Sequence, residues 1–421
     1  MNEQSIELEF AAFVGVDWSD DKHHVCLHQP GRETENLVVP HTAESIHAWM
    51  QGLHERFGGR PVALGIEASK GPLIGALCEY LDWCTIYPIH STTTARLRLA
   101  FTPSGAKDDR PDAELCLEVV KFHRHKLRPL QLDDQATRLL GRLSEFRRCL
   151  VDQRTSATNR LQAILKECFP QALSLVGARL DTSMALDFLK RWPDLASLKL
   201  ARPSTIRSFY QKHNVRRPEL IQERIQRIKE AVFLTKDQAH LNFAQTRIGL
   251  LLEQIQLLQK QVAELEKQIA ALFDHHPEAP LFRALPGAGK VIAPRILVLF
   301  GTDRTKYPMA SSIQKYAGVA PVKEASGAQE WIHWRRHVPV FSRQTLVEWA
   351  GQTVVYSSWA KDYYAYYKAK GKSHHVILRA LAFKWLRVLW RCWMDRTPYD
   401  EPRYMAQLRL KKAPYLSPLT A

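Results

Sequence analysis

The sequence has no apolar run that approaches the ~20 residues needed to span a bilayer. Its first ten residues, MNEQSIELEF, are acidic and lack the positive region and long apolar core of a signal peptide. These absences predict a chain that is neither embedded in a membrane nor exported.

Cysteine is sparse and shows no pairing pattern. The seven cysteines are an odd number, scattered along the chain without a CxxC pair, which favours reduced thiols in a cytosolic protein. The histidine pairs at 23–24, 275–276 and 374–375 have no partner Cys or His at zinc-finger spacing. We therefore expect neither disulfides nor a structural zinc ion.

The usual nucleotide-binding loops are also missing. In ALPGAGKVIAPRIL the glycine spacing is not that of a P-loop, and Val291 instead of Ser or Thr follows Lys290. Ile292 takes the place of the third glycine of a dinucleotide fingerprint. The stretch instead predicts a tight turn that opens a helix, where backbone amides can hold a phosphate.

Positive charge is what the chain has in excess. It has 421 residues, enough for two or three domains, with 59 Lys and Arg against 43 Asp and Glu. The net charge of +16 favours a polyanionic partner such as a nucleic acid, although it says nothing about the fold.

Four acidic residues stand out by their positions. Asp17 and Glu67 each end a short apolar run that reads as a strand, FAAFVGVDWS and VALGIEAS. Asp109 and Asp112 open a predicted helix, and their spacing of three places both on one face. Asp108 is an alternative to Asp109.

Carboxylates at the ends of neighbouring strands and on an adjacent helix can converge. Four anionic groups repel at close range unless a divalent cation lies between them. Hard oxygen ligands suit Mg²⁺ or Mn²⁺, and such ions support phosphoryl transfer.

Residues 10–130 alternate strand and helix patterns. Three consecutive strands are predicted in FVGVDW, HHVCLHQ and ENLVVPH, followed by helices near 43–57 and 71–82 and by the strands with Glu67 and CTIYPIH. This order suits an RNase H-like α/β layer but fits other α/β folds as well. Residues 96–107 are predicted to be a loop that carries the last two acids towards the first two.

The middle of the chain is predicted to be helical. A long helix is expected from 133 to about 169, and short helices broken by prolines over 170–235. The stretch RPSTIRSFYQKHNVRRPELIQERIQRIK is rich in Arg and Lys, and it either contacts nucleic-acid phosphates or is a solvated helical face.

Residues 241–273 have a heptad repeat. One position holds Ile248, Ile255, Val262 and Ile269, and the other holds Leu251, Leu258, Leu265 and Leu272. β-Branched residues at a and leucine at d favour a parallel two-stranded coiled coil, and hence a dimer. The alternative is an antiparallel hairpin with the 133–169 helix of the same chain.

Several motifs together resemble a known family. GVDWS, GIEAS and KDDRPDA are similar to the acidic motifs of the IS110-type transposases, RNA-guided DNA recombinases with a RuvC-like N-terminal domain. ALPGAGKVIAPRILVLFG and SIQKYAGVAPVKEASG resemble their C-terminal transposase domain, in the same order and at similar spacing. The resemblance covers about residues 10–130 and 280–390, and it selects the RNase H-like fold among α/β alternatives.

The resemblance implies a mechanism. The quartet Asp17, Glu67, Asp109 and Asp112 would bind Mg²⁺, with Mn²⁺ a possible substitute, and Ser326 would attack DNA to form a covalent phosphoserine. The target would be chosen by a structured non-coding RNA. Around ALPGAGKVIAPRIL, proteins of this family resemble helix-hairpin-helix proteins, which bind the DNA backbone without reading its sequence.

One departure from the family pattern affects the phosphate contacts. The family has a Ser-Lys-Arg-Gly-Asn-like stretch after the serine, where this chain reads HVPVFSRQTLVEWAGQ. Which of Arg335, Arg336 and Arg343 holds the scissile phosphate is therefore open. Other serines that could act in place of the nucleophile are Ser311, Ser312 and Ser342.

The predicted organisation has four parts: a RuvC-like domain over 1–130, a helical linker and coiled coil over 131–277, a mostly helical transposase domain over 278–396, and a basic tail over 397–421 that is partly disordered after Pro402. We expect a transposase of an insertion sequence, a homodimer or homotetramer associated with the bacterial nucleoid. The alternatives are a RuvC-like nuclease that uses metal-activated water and an inactive nucleic-acid-binding relic.

Overall fold

The computed structural model describes residues 10–68, 70–101, 109–327, 329–336 and 338–416. Contacts divide the chain into two compact units, residues 1–132 and 133–421. Within the described part, no helix is long and apolar enough to cross a membrane.

The first unit contains a five-stranded mixed sheet. Its strands are β1 (Ala12–Asp17), β2 (Lys22–His28), β3 (Glu35–Pro40), β4 (Val62–Ile66) and β5 (Cys84–Pro88). In the order β3-β2-β1-β4-β5, the first three strands are antiparallel, and β4 and β5 continue parallel to β1. This arrangement confirms the five predicted strands and fits an RNase H-like domain.

Helices cover both faces of this sheet. They are α1 (Ala43–Arg56), α2 (Pro72–Leu77), α3 (Ser91–Phe101) and α4 (Asp109–His123), with 3₁₀ turns at Cys78–Tyr80 and Arg124–Lys126. Side chains of a strand alternate between faces. In β1, Val14 therefore packs with Met50 of α1, whereas Phe13 packs with Leu117 of α4.

Helix α3 corrects one expectation from the sequence. Residues 96–101 were expected in a loop, but they belong to this helix, and no glycine or proline interrupts it before Pro103. Leu97 packs against Ile89 and Cys116, which gives the helix an apolar face. The rest of the predicted loop, residues 102–108, lies outside the described residues.

The second unit begins with two very long helices and a group of short ones between them. The long helices are α5 (Gln135–Cys168) and α11 (Gln238–Asp274). The short ones are α6 (Gln171–Val176), α7 (Ser183–Arg191), α8 (Leu195–Lys199), α9 (Pro203–Lys212) and α10 (Pro218–Glu230). The long helix over 133–169 and the broken helices over 170–235 are thus as predicted.

The heptad stripe of α11 packs inside its own chain. Leu258 and Val262 form a cluster with Leu150 of α5, and Ile248 joins the core of the short helices. A seam buried in this way is not free for a second α11, so the parallel coiled-coil interpretation is not confirmed and the intramolecular hairpin is what the structure has. Because α5 belongs to the same chain, its effective concentration near α11 is high, whereas pairing with a second chain depends on the protein concentration.

The rest of the second unit is mostly helical. Its elements are α12 (Ala279–Arg283), α13 (Gly289–Phe300), a 3₁₀ turn (Arg304–Lys306), α14 (Ala310–Tyr316), β6 (Val322–Ser326), β7 (Gln329–His333), α15 (Val340–Tyr356), α16 (Ser358–Ala369), α17 (His374–Met394) and α18 (Glu401–Leu410). Trp349, Trp359, Trp385 and Trp393 are fully buried in its core, so the aromatic stripe of α17 is a packing feature.

The C-terminal segment corrects a second expectation. The residues after 402 were expected to be partly disordered, yet α18 forms and buries Leu408, and Tyr415 beyond it is buried as well; residues 417–421 lie outside the described residues. Leu408 and Tyr415 pack into the main apolar core of the second unit, which explains why this segment is folded. Leu140, Phe273 and Phe282 share that core, and the boundary predicted between 277 and 278 stays a prediction.

Candidate active site

Asp17 and Glu67 lie at the same edge of the sheet. Strands β1 and β4 are parallel, and Val16 pairs with Ile66, so the next residue of each chain segment carries a carboxylate at the carboxyl end of its strand. Alternation along β1 places Asp17 on the face that packs against α4. The sheet thus brings two residues 50 positions apart to one place, as the sequence predicts.

Two glycines allow α4 to lie directly on these strands. Gly15 and Gly65 are register partners, each two residues before a carboxylate. A methyl group on Gly65 would lie 2.8 Å from the carbonyl oxygen of Cys116, and one on Gly15 would overlap the backbone of Ala113 and Leu117. The sequence interpretation missed this role, although the repeated Gly-x-acid pattern in GVD and GIE is visible.

Helix α4 brings a third carboxylate to the site. Asp112 is buried, with 4% of its surface exposed, and Cys116 follows one turn later. Burial raises the pKa of the Cys116 thiol, and the charges of Glu67, Asp17 and Asp112 raise that pKa further. The charges of all three carboxylates therefore act on this one thiol.

Helix α3 holds two of these carboxylates. The buried Thr94 hydroxyl donates a hydrogen bond to Oε2 of Glu67 at 2.5 Å. Arg98 donates from Nε to Oδ1 of Asp112 at 2.8 Å and also from Nη2. Thr94 and Arg98 are four residues apart and share a helix face. The sequence interpretation missed Arg98 because it assigned residues 96–107 to a loop, and it made no prediction for Thr94.

The donor set suits a hard cation. Asp17, Glu67 and Asp112 offer only carboxylate oxygens, the ligands that Mg²⁺ and Mn²⁺ prefer. Within the described part of the chain, no three acidic, His or Cys side chains are close enough to hold a metal ion as they are placed here. Arg98 supplies the positive charge at Asp112 instead. The side chain of Asp109 and the whole of Asp108 lie outside the described residues.

Ser326 lies in the other unit, at the tip of a β-hairpin. It is the last residue of β6, pairs with Gln329 of β7, and precedes Gly327, whose φ is 58°. The side chain is exposed and makes no hydrogen bond to any described residue. Ser311 and Ser312 are in α14 instead, and Ser342 is in the first turn of α15, all half-buried.

Basic side chains cluster at the base of this hairpin. The guanidinium groups of Arg343 and Arg379 lie 5.1 and 4.2 Å from the ring centre of Trp334, and Arg343 donates to the carbonyl of Arg335 at 3.1 Å. Trp334 is five residues from the position opposite Ser326, about 17 Å along an extended strand. The two guanidinium groups therefore lie at the base of the hairpin, whereas Ser326 lies at its tip.

The predicted tight turn before α13 is present. Gly287 and Gly289 have φ values of 69° and 54°, in the left-handed region that glycine adopts most readily. The indole nitrogen of Trp349 donates to the carbonyl of Pro286 at 2.9 Å, which fixes the turn against α15.

Comparisons with known proteins match both parts of the chain. Residues 14–170 match a transposase family model, the DEDD domain of the IS110 type. Residues 279–365 match a second model, described as the transposase IS116/IS110/IS902 family. The first match contains Asp17, Glu67 and Asp112, and the second contains Ser326.

Similar proteins occur in bacteria. A protein named "Insertion element IS110 uncharacterized 43.6 kDa protein" from Streptomyces coelicolor is 26% identical and covers 93% of this chain and 96% of its own length. The "Mini-circle putative transposase for IS117" of the same organism is 24% identical, covering 96% and 98%. "Putative transposase y4uE" of Sinorhizobium fredii is 29% identical over 49% of this chain and 57% of its own length.

Proposed function

The chain belongs to the IS110 family of insertion-sequence transposases, and from this membership we propose that it cuts and rejoins DNA through a phosphoserine at Ser326. The observation that carries the proposal is geometric: Asp17 and Glu67 follow paired strands at one sheet edge, and α4, which carries the buried Asp112, lies directly on Gly15 and Gly65 of those strands. With Asp109, these residues would hold Mg²⁺, or Mn²⁺ in its place.

The residues of the site have separate tasks. A bound divalent ion would supply positive charge to the scissile phosphate and its leaving oxygen. Thr94 fixes Glu67, and Arg98 must release Asp112 if that carboxylate is to become a ligand. Gly15 and Gly65 have no side chains, so the backbone of α4 lies directly on β1 and β4. This close packing fixes the distance of Asp112 from the sheet.

Ser326 would be the nucleophile. Its Oγ forms a bond to phosphorus while the bond between phosphorus and the 3′ oxygen breaks, the hydroxyl proton is lost, and the 3′ oxygen takes up a proton. A serine hydroxyl is a weak nucleophile at neutral pH, so a neighbouring base or ion must activate it. Because the phosphodiester energy is kept in the new bond, the strand can be resealed without ATP.

The partners follow from charge and family. We propose DNA as substrate and a structured RNA as guide, since a net charge of +16 favours both polyanions. We also propose a homodimer or homotetramer in which one chain supplies the carboxylates and another the serine. Partial rescue of activity on mixing Asp17→Ala with Ser326→Ala chains would support shared sites, and no rescue would contradict them.

A denaturing gel tests the serine mechanism. Protein is incubated with end-labelled DNA, Mg²⁺ and the non-coding RNA encoded beside the gene, and label that stays on the protein reports a covalent bond. The wild type and the controls Ser312→Ala and Ser342→Ala should carry label, and Ser326→Ala should not. If Ser326→Ala cuts DNA at the wild-type rate, a nuclease that uses water replaces the proposal.

A further inference from the structure

A cationic cavity lies between α17 and α18. Its volume is about 540 Å³, and its walls include five basic side chains. Lys384, Arg387 and Arg391 come from one face of α17 at helical spacing, and Arg403 and Lys411 come from α18 and the residue after it. No function described above uses this cavity.

The carboxylates of the cavity already have local partners. Asp395 accepts a hydrogen bond from Nε of Arg391 at 2.6 Å, within one turn. Asp400 caps α18 by accepting from the backbone N–H of Arg403 at 3.0 Å. As far as the structure describes the chain, Lys384, Arg387 and Lys411 form no ion pair, so the cavity has an excess of positive charge.

Lys384 is fixed at the inner wall. Its ammonium lies 4.6 Å from the ring centre of Tyr415 and 5.8 Å from that of Trp359, so aromatic faces hold it in place. Burial lowers the pKa of Lys384, and the charges of Arg387 and Lys411 lower it further. The three cations thus repel one another in one concave space.

We propose that this cavity binds the phosphodiester backbone of a nucleic acid through Lys384, Arg387 and Lys411. Like charges without a counterion destabilise a fold, and an external polyanion removes that repulsion. Ammonium and guanidinium groups are the usual partners of phosphate. The proposal rests on the proposed function only in that a DNA transposase works on nucleic acid. The same phosphodiester chemistry is offered by DNA and by RNA.

Two double variants with equal charge loss test the site. Arg387→Gln/Lys411→Gln removes two cations of the cavity, and Arg409→Gln/Lys412→Gln removes two exposed cations nearby that do not line it. Binding of a short fluorescent DNA duplex and of an RNA hairpin is measured by anisotropy over a range of NaCl concentrations. EDTA is present, so no strand is cut and failure of the serine mechanism leaves this assay unchanged.

In the cavity variant, the negative slope of the logarithm of the binding constant against the logarithm of the NaCl concentration should become less steep by about 1 to 2. This change corresponds to the loss of one or two phosphate contacts. The control should change the slope much less. If the cavity variant loses salt-dependent binding more than the control does, with DNA, with RNA or with both, the site is supported. The nucleic acid that is affected is then the source of the phosphate. Equal changes in the two variants would overturn it.

Unfolding temperature gives a second readout. Without nucleic acid, the cavity variant should be at least as stable as the wild type, because repulsion around Lys384 is relieved. A lower unfolding temperature would mean that Arg387 and Lys411 support the fold, and would count against a binding role.

Discussion

Gly15 and Gly65 are register partners on parallel strands, and α4 crosses both of them at backbone contact. Each glycine is followed two residues later by a carboxylate of the candidate site. The missing side chains create the groove in which α4 lies, and this groove sets the position of Asp112 relative to Asp17 and Glu67.

Alanine at these glycines should displace α4. For Gly65→Ala we expect the free energy of unfolding to fall by about 1–3 kcal/mol, the usual cost of overpacking, and for Gly15→Ala by more, since its methyl group would overlap backbone atoms of both Ala113 and Leu117. Denaturant unfolding measures this. The control is Gly52→Ala in α1, where nothing lies within 4 Å and alanine favours the helix. Equal stabilities of the Gly52 and Gly65 variants would refute the contact.

Removing Arg98 tests whether this side chain and a metal ion compete for the carboxylate of Asp112. Arg98→Ala leaves the buried carboxylate of Asp112 without its cation, so we expect a loss of about 2 kcal/mol in stability. Added Mn²⁺ should raise the unfolding temperature of this variant more than that of the wild type, because the carboxylate is free to bind it. Arg96→Ala, at an exposed position of α3, should behave like the wild type. No response to Mn²⁺ in the Arg98 variant would argue against Asp112 as a ligand.

The carboxylates should act as one unit. Asp17→Ala, Glu67→Ala, Asp109→Ala and Asp112→Ala should each reduce DNA cleavage by a factor of about 10² or more, since losing even an outer-shell metal partner costs 10–100-fold. Circular dichroism should show a retained fold, because repulsion among the anions falls and, in Asp112→Ala, offsets part of the lost ion pair with Arg98.

Asp108 is the internal check on the third member of the set. Asp108→Ala should cleave DNA better than Asp109→Ala. The reverse result would move the assignment by one residue. Asp20→Ala, at an exposed position beyond β1, should retain the wild-type rate.

The heptad stripe should respond as part of a folded hairpin. Leu258 has 5% of its surface exposed and packs with Leu150, so Leu258→Lys buries a charge and should lower the unfolding temperature sharply. Its neighbour Leu257 is 55% exposed, and Leu257→Lys should leave that temperature almost unchanged. Thermal unfolding followed by circular dichroism compares them. A stable Leu258→Lys chain that merely changes its oligomeric state by light scattering would restore the dimer interpretation of the stripe.

Local sequence patterns determined much of the fold. The apolar runs before Asp17 and Glu67 are strands because a run of buried residues bounded by turn residues has few other solutions. The same patterns predicted that Asp17 and Glu67 lie at one edge of the sheet, which the parallel pairing of β1 and β4 confirms. Periodicity also located α5 and α11 to within a few residues.

Only the tertiary structure decided what each buried face meets. The stripe of α11 requires a partner, but periodicity does not say whether the partner is α5 or a second chain. The pairing of Thr94 with Glu67 joins residues 27 positions apart, and Arg379 of α17 lies over the ring of Trp334, just after β7. Such contacts depend on how whole elements pack, and a local pattern reports that a face is buried without recording its partner.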